Sequence, residues 1–415
     1  MRRKRRSRKI AGFLAFTCIA AGAVCIMMAF KEQGSAAGKF MREAVQSVIQ
    51  EEEKEMIPFQ PDTIDEVSLA QKFYYQQLAT DEEKKIYREL LQGLRENTAD
   101  IYVHCADPDQ ANEVFHSVLD DNPDLFWCEG SASSTSYPAT MSSEAYVITN
   151  PDYAYSGEEK AARQEAIEAA VQECLSQIPQ EYSEYEKIKY VYEYLINTVE
   201  YDLDAPDNQN IYSALVGKTS VCAGYAKSMQ LLLERMGIFC TYVTGTATNS
   251  DGSTEIHAWN IVGCGDSYYF VDATWGDPVF QQEEGNPDER AMTYDYLCCS
   301  GRELFRTHEL TEGFNYPECT SEELNYYRMN GMYYEFYDSE RILNSMYASI
   351  EAGERYTVFK FASDDLYWEA HDAVVYDLVK QGASYLGQWY GLREAWYSCE
   401  DDPGLDKITI YWRYG

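Results

Sequence analysis

Residues 220–237 read Ser220-Val221-Cys222-Ala223-Gly224-Tyr225-Ala226, then KSMQLLLERM, then Gly237. The spacing of Ala226, Met229, Leu232, Leu233 and Met236 makes one apolar stripe at helical period. Ser220 reads as the N-cap and Gly237 as the stop. Cys222 then falls in the first turn. Unpaired backbone N–H groups and the helix dipole favour an anion there, and the thiolate is the reactive form of cysteine. The small Ala223 and Gly224 are expected to leave a substrate room to reach the sulfur.

Two strand-like segments follow. The first is Glu255-Ile256-His257-Ala258-Trp259-Asn260-Ile261-Val262, and the second is Tyr268-Tyr269-Phe270-Val271-Asp272-Ala273-Thr274-Trp275. Between them lies Gly263-Cys264-Gly265-Asp266. A two-residue turn at Cys264-Gly265 pairs Gly263 with Asp266. Counting outward, His257 then stands opposite Asp272, on the same face of an antiparallel pair. A loop one residue longer or shorter would separate them onto opposite faces. A cysteine nucleophile needs an imidazole, and the imidazole needs a group to orient it. Cys222, His257 and Asp272 meet that need. The Cys222 backbone N–H is expected to give one oxyanion contact, and Tyr212 is a guess for the second.

The sequence from about residue 185 to 310 resembles the transglutaminase-like superfamily, especially its exported bacterial members. The residues that carry the resemblance are VCAGYAKSMQLLLERMGI, HAWNIV and YYFVDATWGDP, with YDYLCCSGRELFRTHEL after them. The resemblance implies an α+β, papain-like core, with a catalytic cysteine on a helix N-terminus and the histidine and aspartate on an antiparallel sheet. It implies Cys222, His257 and Asp272 as catalytic triad. Such proteins cross-link amides, hydrolyse them, or serve as inactive scaffolds. Peptide or protein substrates are expected, cell-wall peptides among them. Hydrolysis is favoured over amine cross-linking because it needs no second binding site. The alternative is a non-catalytic surface protein that binds peptide or glycan through its Tyr-rich flanks.

Working outward, the expected organisation is a basic start and membrane segment over 1–37, an acidic stalk over 38–70, and an α+β region over 71–178. The catalytic core spans 179–310, and a small α+β domain spans 311–415. Ser183 with Glu186 makes a capping box ahead of Ile188, Val191, Tyr192, Leu195 and Val199. Residues 99–105 and 145–148 read as strands, and 111–119 and 158–178 as helices. The Ser/Thr-rich stretch 131–143 has no clear pattern. Near the C-terminus, 333–337, 356–361 and 408–412 read as strands and 373–381 as a helix, with aromatic turns around Trp389 and Trp396.

Charge narrows the partners. The chain has 415 residues, with 34 basic and 69 acidic side chains. Seven of the basic ones are Arg2, Arg3, Lys4, Arg5, Arg6, Arg8 and Lys9, which leaves 27 basic against 69 acidic beyond them. A body this acidic repels nucleic acid, so no nucleic-acid partner is expected. The basic start runs into the uncharged stretch Ile10–Phe30, long enough as a helix to cross a bilayer of about 30 Å. Basic residues stay cytoplasmic, which places the body outside the cytoplasm on a single N-terminal anchor. The alternative is secretion after a cut near Ala37, in Ser35-Ala36-Ala37. Twelve cysteines show no disulfide framework, and most are expected to be free and buried. No His-Glu-x-x-His, paired Cys-x-x-Cys or Gly-rich phosphate loop occurs, so neither metal nor nucleotide cofactor is expected.

Overall fold

The computed structural model describes residues 58–59, 63–140, 143–249, 251–277 and 292–414. The basic start, the stretch Ile10–Phe30, the site near Ala37 and the acidic run Glu51–Glu55 lie outside them. Among the described residues no helix is long and apolar enough to cross a membrane.

The chain folds as two compact units. Of the described residues, one holds those up to 68 with 78–118 and 128–154, and the other holds 69–77, 119–127 and those from 155 onward. In the first, α1 (Asp81–Arg95) starts on a capping box, Thr80 with Glu83. Its stripe Ile86, Tyr87, Leu90, Leu91 and Leu94 is buried. Then come β1 (Ile101–Val103), α2 (Pro108–Asp121, whose last three residues belong to the second unit), β2 (Cys128–Tyr137) and β3 (Tyr146–Tyr153). The antiparallel order is β1-β3-β2. The Ser/Thr-rich stretch thus forms most of an edge strand. It lacks an apolar alternation because none of its residues is fully buried, and the last three, Thr135, Ser136 and Tyr137, are all exposed. Ser134 Oγ instead pairs with Thr149 Oγ1 on β3 at 3.0 Å.

The second unit opens with α3 (Gly157–Ser176) and α4 (Glu184–Thr198), the latter on the expected Ser183–Glu186 capping box. Strands β4 (Glu200–Tyr201) and β5 (Thr219–Ser220) pair in parallel and deliver the chain to α5 (Cys222–Arg235). After it come β6 (Cys240–Thr248), β7 (Thr254–Cys264), β8 (Ser267–Val271) and β9 (His308–Leu310), an antiparallel sheet in the order β8-β7-β6-β9. Helix α5 packs against β6 and β7, and α4 packs on α5. The ending of α5 is a Schellman motif: Gly237 (φ 75°) N–H donates to Glu234 O, and Ile238 N–H to Leu233 O, both at 3.0 Å.

The C-terminal part has a four-stranded sheet in the order β10-β11-β13-β12. Its strands are β10 (Tyr333–Tyr334), β11 (Tyr356–Phe361), β12 (Trp396–Asp402) and β13 (Lys407–Arg413). Helices α6 (Ser339–Glu351), α7 (Asp364–Asp372) and α8 (Val379–Tyr390) cover it, and a π-helix over Ala373–Leu378 joins the last two. The helix expected over 373–381 therefore runs much further in both directions. Gly382 lies inside it, so close to the sheet that a Cβ there would stand 2.8 Å from the Trp412 ring. Trp389 is helical and Trp396 begins β12, so neither sits in a turn. Gly391, at φ 65°, supplies the stop.

Two local expectations around Cys222 are corrected. The N-cap of α5 is Val221, which makes no side-chain cap bond. Ser220 is buried in β5, with its Oγ 2.8 Å from both Asn208 O and Ser213 Oγ. Gly224 does not open a path for substrate. A Cβ there would fall 1.9 Å from Ser220 Oγ and 3.0 Å from Asn210 O. The glycine lets the first turn of α5 sit on β5. Gly224→Ala should therefore cost about 1–3 kcal/mol through overpacking. Urea unfolding should show a lower midpoint with little change of slope.

Candidate active site

Strand β7 presents two faces. Ala258 joins Ala223, Ala226 and Tyr242 in one buried cluster, with Cys222 packed against it. Asn260 Nδ2 reaches Ala226 O of α5 at 2.9 Å. Trp259 and Ile261 point into a different cluster with Val243, Phe270, Trp275 and Tyr296. His257 shares the odd-numbered face with Trp259, and their rings lie 5.8 Å apart.

The hairpin differs from expectation in one respect. Cys264 pairs with Ser267, so the two-residue turn is Gly265-Asp266, with Gly265 at φ 59°. The register is thus displaced by two positions, and Asp272 stands level with Trp259 rather than His257. An even displacement keeps every side chain on its face. His257 and Asp272 still meet, on a diagonal, with Nε2 2.6 Å from Oδ2.

Asp272 follows the last residue of β8 and is the N-cap of a one-turn helix, Ala273–Gly276. Its Oδ1 accepts from the backbone N–H of Thr274 at 2.9 Å and of Trp275 at 3.1 Å. Capping and orienting are therefore both done by this one carboxylate, each by a different oxygen. Sequence reasoning missed a further member, His308, the first residue of β9. Its Nε2 lies 3.2 Å from the same Oδ2. His257, Asp272 and His308 are 3%, 2% and 1% exposed.

Cys222, the first residue of α5, is half-buried and is close enough to His257 to act on its imidazole. Since Asp272 takes Nε2, the nitrogen left for the thiol is Nδ1. The amide N–H groups of the first turn have no carbonyl one turn behind them. Tyr212, guessed as a second oxyanion donor, has ring neighbours of its own. Its ring lies 4.3 Å from the Arg163 guanidinium and stacks on Phe126 at 6.4 Å.

The electrostatics follow from burial and pairing. Burial pulls the His257 imidazole towards neutrality, but the Asp272 charge and hydrogen bond outweigh it, with Cys222 adding a smaller push, and raise its pKa to about 10. Burial likewise favours protonated Asp272, yet His257 and then His308 hold it below the usual carboxylate range. These shifts describe one shared interaction and count once. His257, Asp272 and His308 are also three donors close enough to consider for a metal ion. The 2.6 Å between Nε2 and Oδ2 is a hydrogen-bond length. Ligands bound to one tetrahedral zinc at about 2.1 Å stand about 3.4 Å apart. A proton fits between these two atoms, and a metal would have to drive them apart.

Residues 168–273 match the family model Transglut_core, the transglutaminase-like superfamily. The match ends just past Asp272 and leaves out His308. Among solved structures the chain is similar to a TGase at 15% identity, over 39% of this chain and 47% of that one, with a TM-score of 0.25. It is also similar to a candidate cysteine protease from Cytophaga hutchinsonii at 12% identity, over 36% and 64% of the two chains, with a TM-score of 0.23. Menin is a third, at 16% identity over 75% and 66%, with a TM-score of 0.23. The likeness spans about half the length of the first of these (47%). No curated protein sequence matches the chain. The matched region has the transglutaminase-like, papain-like fold within a mixed α and β protein. Its superfamily contains cysteine-dependent enzymes.

The raised His257 pKa sets the sign of a pH effect. Its contribution to stability is complete below about 6.5 and is lost as pH climbs through about 10. Urea midpoints between pH 6 and 10 should fall with rising pH in the parent chain. In Asp272→Asn the midpoint should be lower at pH 7 and that slope should flatten.

Proposed function

We propose that the chain is a cysteine acyl-transfer enzyme acting on peptide or protein amides, with Cys222 as nucleophile, His257 as acid–base and Asp272 as the orienting carboxylate. The observation that carries this reading is the buried 2.6 Å His257–Asp272 pair, whose imidazole also interacts with a cysteine at a helix start. Sulfur attacks the carbonyl carbon of the substrate amide. The developing oxyanion is met by the free amides of the first turn of α5. His257 gives its proton to the departing amine, and a thioester with Cys222 remains. Water then attacks the thioester carbon, His257 takes its proton, and a carboxylate leaves as the thiolate re-forms. If an amine attacks in place of water, the product is a cross-linked amide.

Hydrolysis is the favoured outcome, since water needs no second binding site. The basic start and the apolar stretch Ile10–Phe30 support a membrane-anchored body outside the cytoplasm, with secretion after a cut near Ala37 as the other route. Cell-wall peptides suit that location as substrates. The chemistry is tested on the whole chain with dansyl-labelled peptides carrying a carboxamide, with and without a primary amine. Amide cleavage should occur and should fall at least about 10³-fold in Cys222→Ala and in His257→Ala. An incorporated amine would identify cross-linking. Full activity in Cys222→Ala, or iodoacetamide labelling of Cys222 no faster than of Cys264, would leave only a binding protein.

A further inference from the structure

His308 sits where β9 meets the sheet, paired with Ala247 of β6. The approach of β9 to β6 depends on Gly245, whose added Cβ would fall 1.9 Å from Glu309 O. The imidazole is enclosed by Trp275, Trp259, Tyr296 and His257, at ring separations of 4.7, 5.0, 5.3 and 5.4 Å. An apolar enclosure of this kind would suit any large hydrophobic side chain, so the choice of a ring with two nitrogens asks for a polar reason.

The hydrogen bonds supply it. Nε2 faces Asp272 Oδ2 at 3.2 Å, and Nδ1 lies 2.8 Å from Thr307 Oγ1. Thr307 Oγ1 in turn lies 3.1 Å from the Tyr296 hydroxyl and 3.3 Å from Leu304 O. An ionised carboxylate only accepts, so Nε2 must carry the proton. Tyr296, Thr307, His308 and Asp272 thus form one continuous line of polar contacts that ends on the carboxylate. With Thr274 and Trp275 on Oδ1, the carboxylate receives four donors, which fills its acceptor sites.

We propose that His308 is a positioning residue for this site: it pins the Asp272 carboxylate and, by sharing the oxygen that faces His257, withholds part of its negative charge from that imidazole. The proposal rests on the catalytic reading only for its consequence in turnover; the charge sharing stands by itself. When His257 gives up its Nδ1 proton, Nε2–H still donates to Asp272, and the carboxylate stays anionic and aligned on all four donors. His257 is thereby kept from becoming so strongly basic that it cannot release a proton. The ionisable groups around the pair are Cys222 of α5, His308 of β9, and Tyr192, Tyr201, Tyr296 and Cys299, which act on Asp272 electrostatically. Burial raises the last four, so they stay neutral through the working range and leave His308 as the partner that tunes the dyad. The cue in the sequence was Thr307-His308-Glu309-Leu310, at the end of the segment that follows the aspartate.

The test is an NMR titration of the His257 ring in the whole chain, which has five histidines. Spectra of the parent, His308→Leu and His308→Gln would be taken from pH 6 to 11. In His308→Leu the His257 midpoint should move up by roughly half a unit to one unit, as expected for one donor lost from its partner carboxylate. In His308→Gln, whose amide can donate to Asp272, the midpoint should return towards the parent. An unchanged or lowered midpoint in His308→Leu overturns the proposal. So does equal behaviour of the two variants, and His308→Gln is the safeguard should His308→Leu fail to fold. A parent chain without amide cleavage that still shows the His308-dependent shift would overturn the catalytic reading and keep this one.

Discussion

The site depends on a carboxylate that is buried and fully supplied with hydrogen-bond donors. Asp272 stands where β8 ends and a one-turn helix begins, and it serves both sides of that junction. Oδ1 closes the helix start through two backbone N–H groups, so the carboxylate has little freedom to turn. Oδ2 is then fixed towards the sheet face, where His257 and His308 reach it from β7 and β9. An uncompensated charge in this place would be very costly. The imidazolium of His257 and the surrounding N–H groups make it tolerable. Pairs of this kind are weak sources of net stability. Their retention here is better explained by the need for one fixed orientation of His257 relative to Cys222.

The sheet makes that orientation reproducible through parity. His257 and Asp272 lie on β7 and just beyond β8, and His308 lies two strands away from β7 across β6. All three nevertheless fall on one face, because β6–β7 pairs odd with odd while β7–β8 and β6–β9 pair odd with even, so odd His257 shares its face with even Asp272 and even His308. Gly245 is the position at which this arrangement is tightest, with β9 backbone on one side and the Trp259 ring on the other. The opposite face of β7 is given to α5. Asn260 anchors that helix through the Ala226 carbonyl. Tyr225 Oη, 2.7 Å from Val199 O and 3.0 Å from Asp277 Oδ2, ties the helix start to the segment after Asp272.

Much of this was legible because it obeys local rules. The helical period after Cys222, the capping box at Ser183 and the strand-forming composition of HAWNIV each follow from short-range rules. The face shared by His257 and Asp272 was read correctly from a turn placed one residue too early, since the resulting register error was even. Other features were hidden for physical reasons. Strand β2 has no apolar alternation to detect, because none of its residues is fully buried. Ser220 looked like a cap because its residue type suits one, yet tertiary contacts with Asn208 and Ser213 claimed its hydroxyl. Gly224 looked like an access route because nothing in a linear sequence shows that β5 lies against it. His308 was quoted within a motif without a role, as only the β6–β9 pairing brings it to Asp272.

The distribution of thiols adds a last constraint on how such a site can work in a chain with many cysteines. Cys105, Cys174, Cys222, Cys240, Cys264, Cys298, Cys299 and Cys319 are all free. Burial raises Cys264 to about 11 and Cys174 and Cys319 to about 12, and pushes Cys240, Cys298 and Cys299 well above the ordinary thiol range. Such thiols stay protonated and unreactive at neutral pH. Cys222 differs from them in its setting: it opens a helix and its neighbour is the His257 imidazole, which Asp272 holds in the charged form. Burial keeps those thiols protonated, and one buried carboxylate, acting through His257, places a positive charge beside the sulfur at the start of α5.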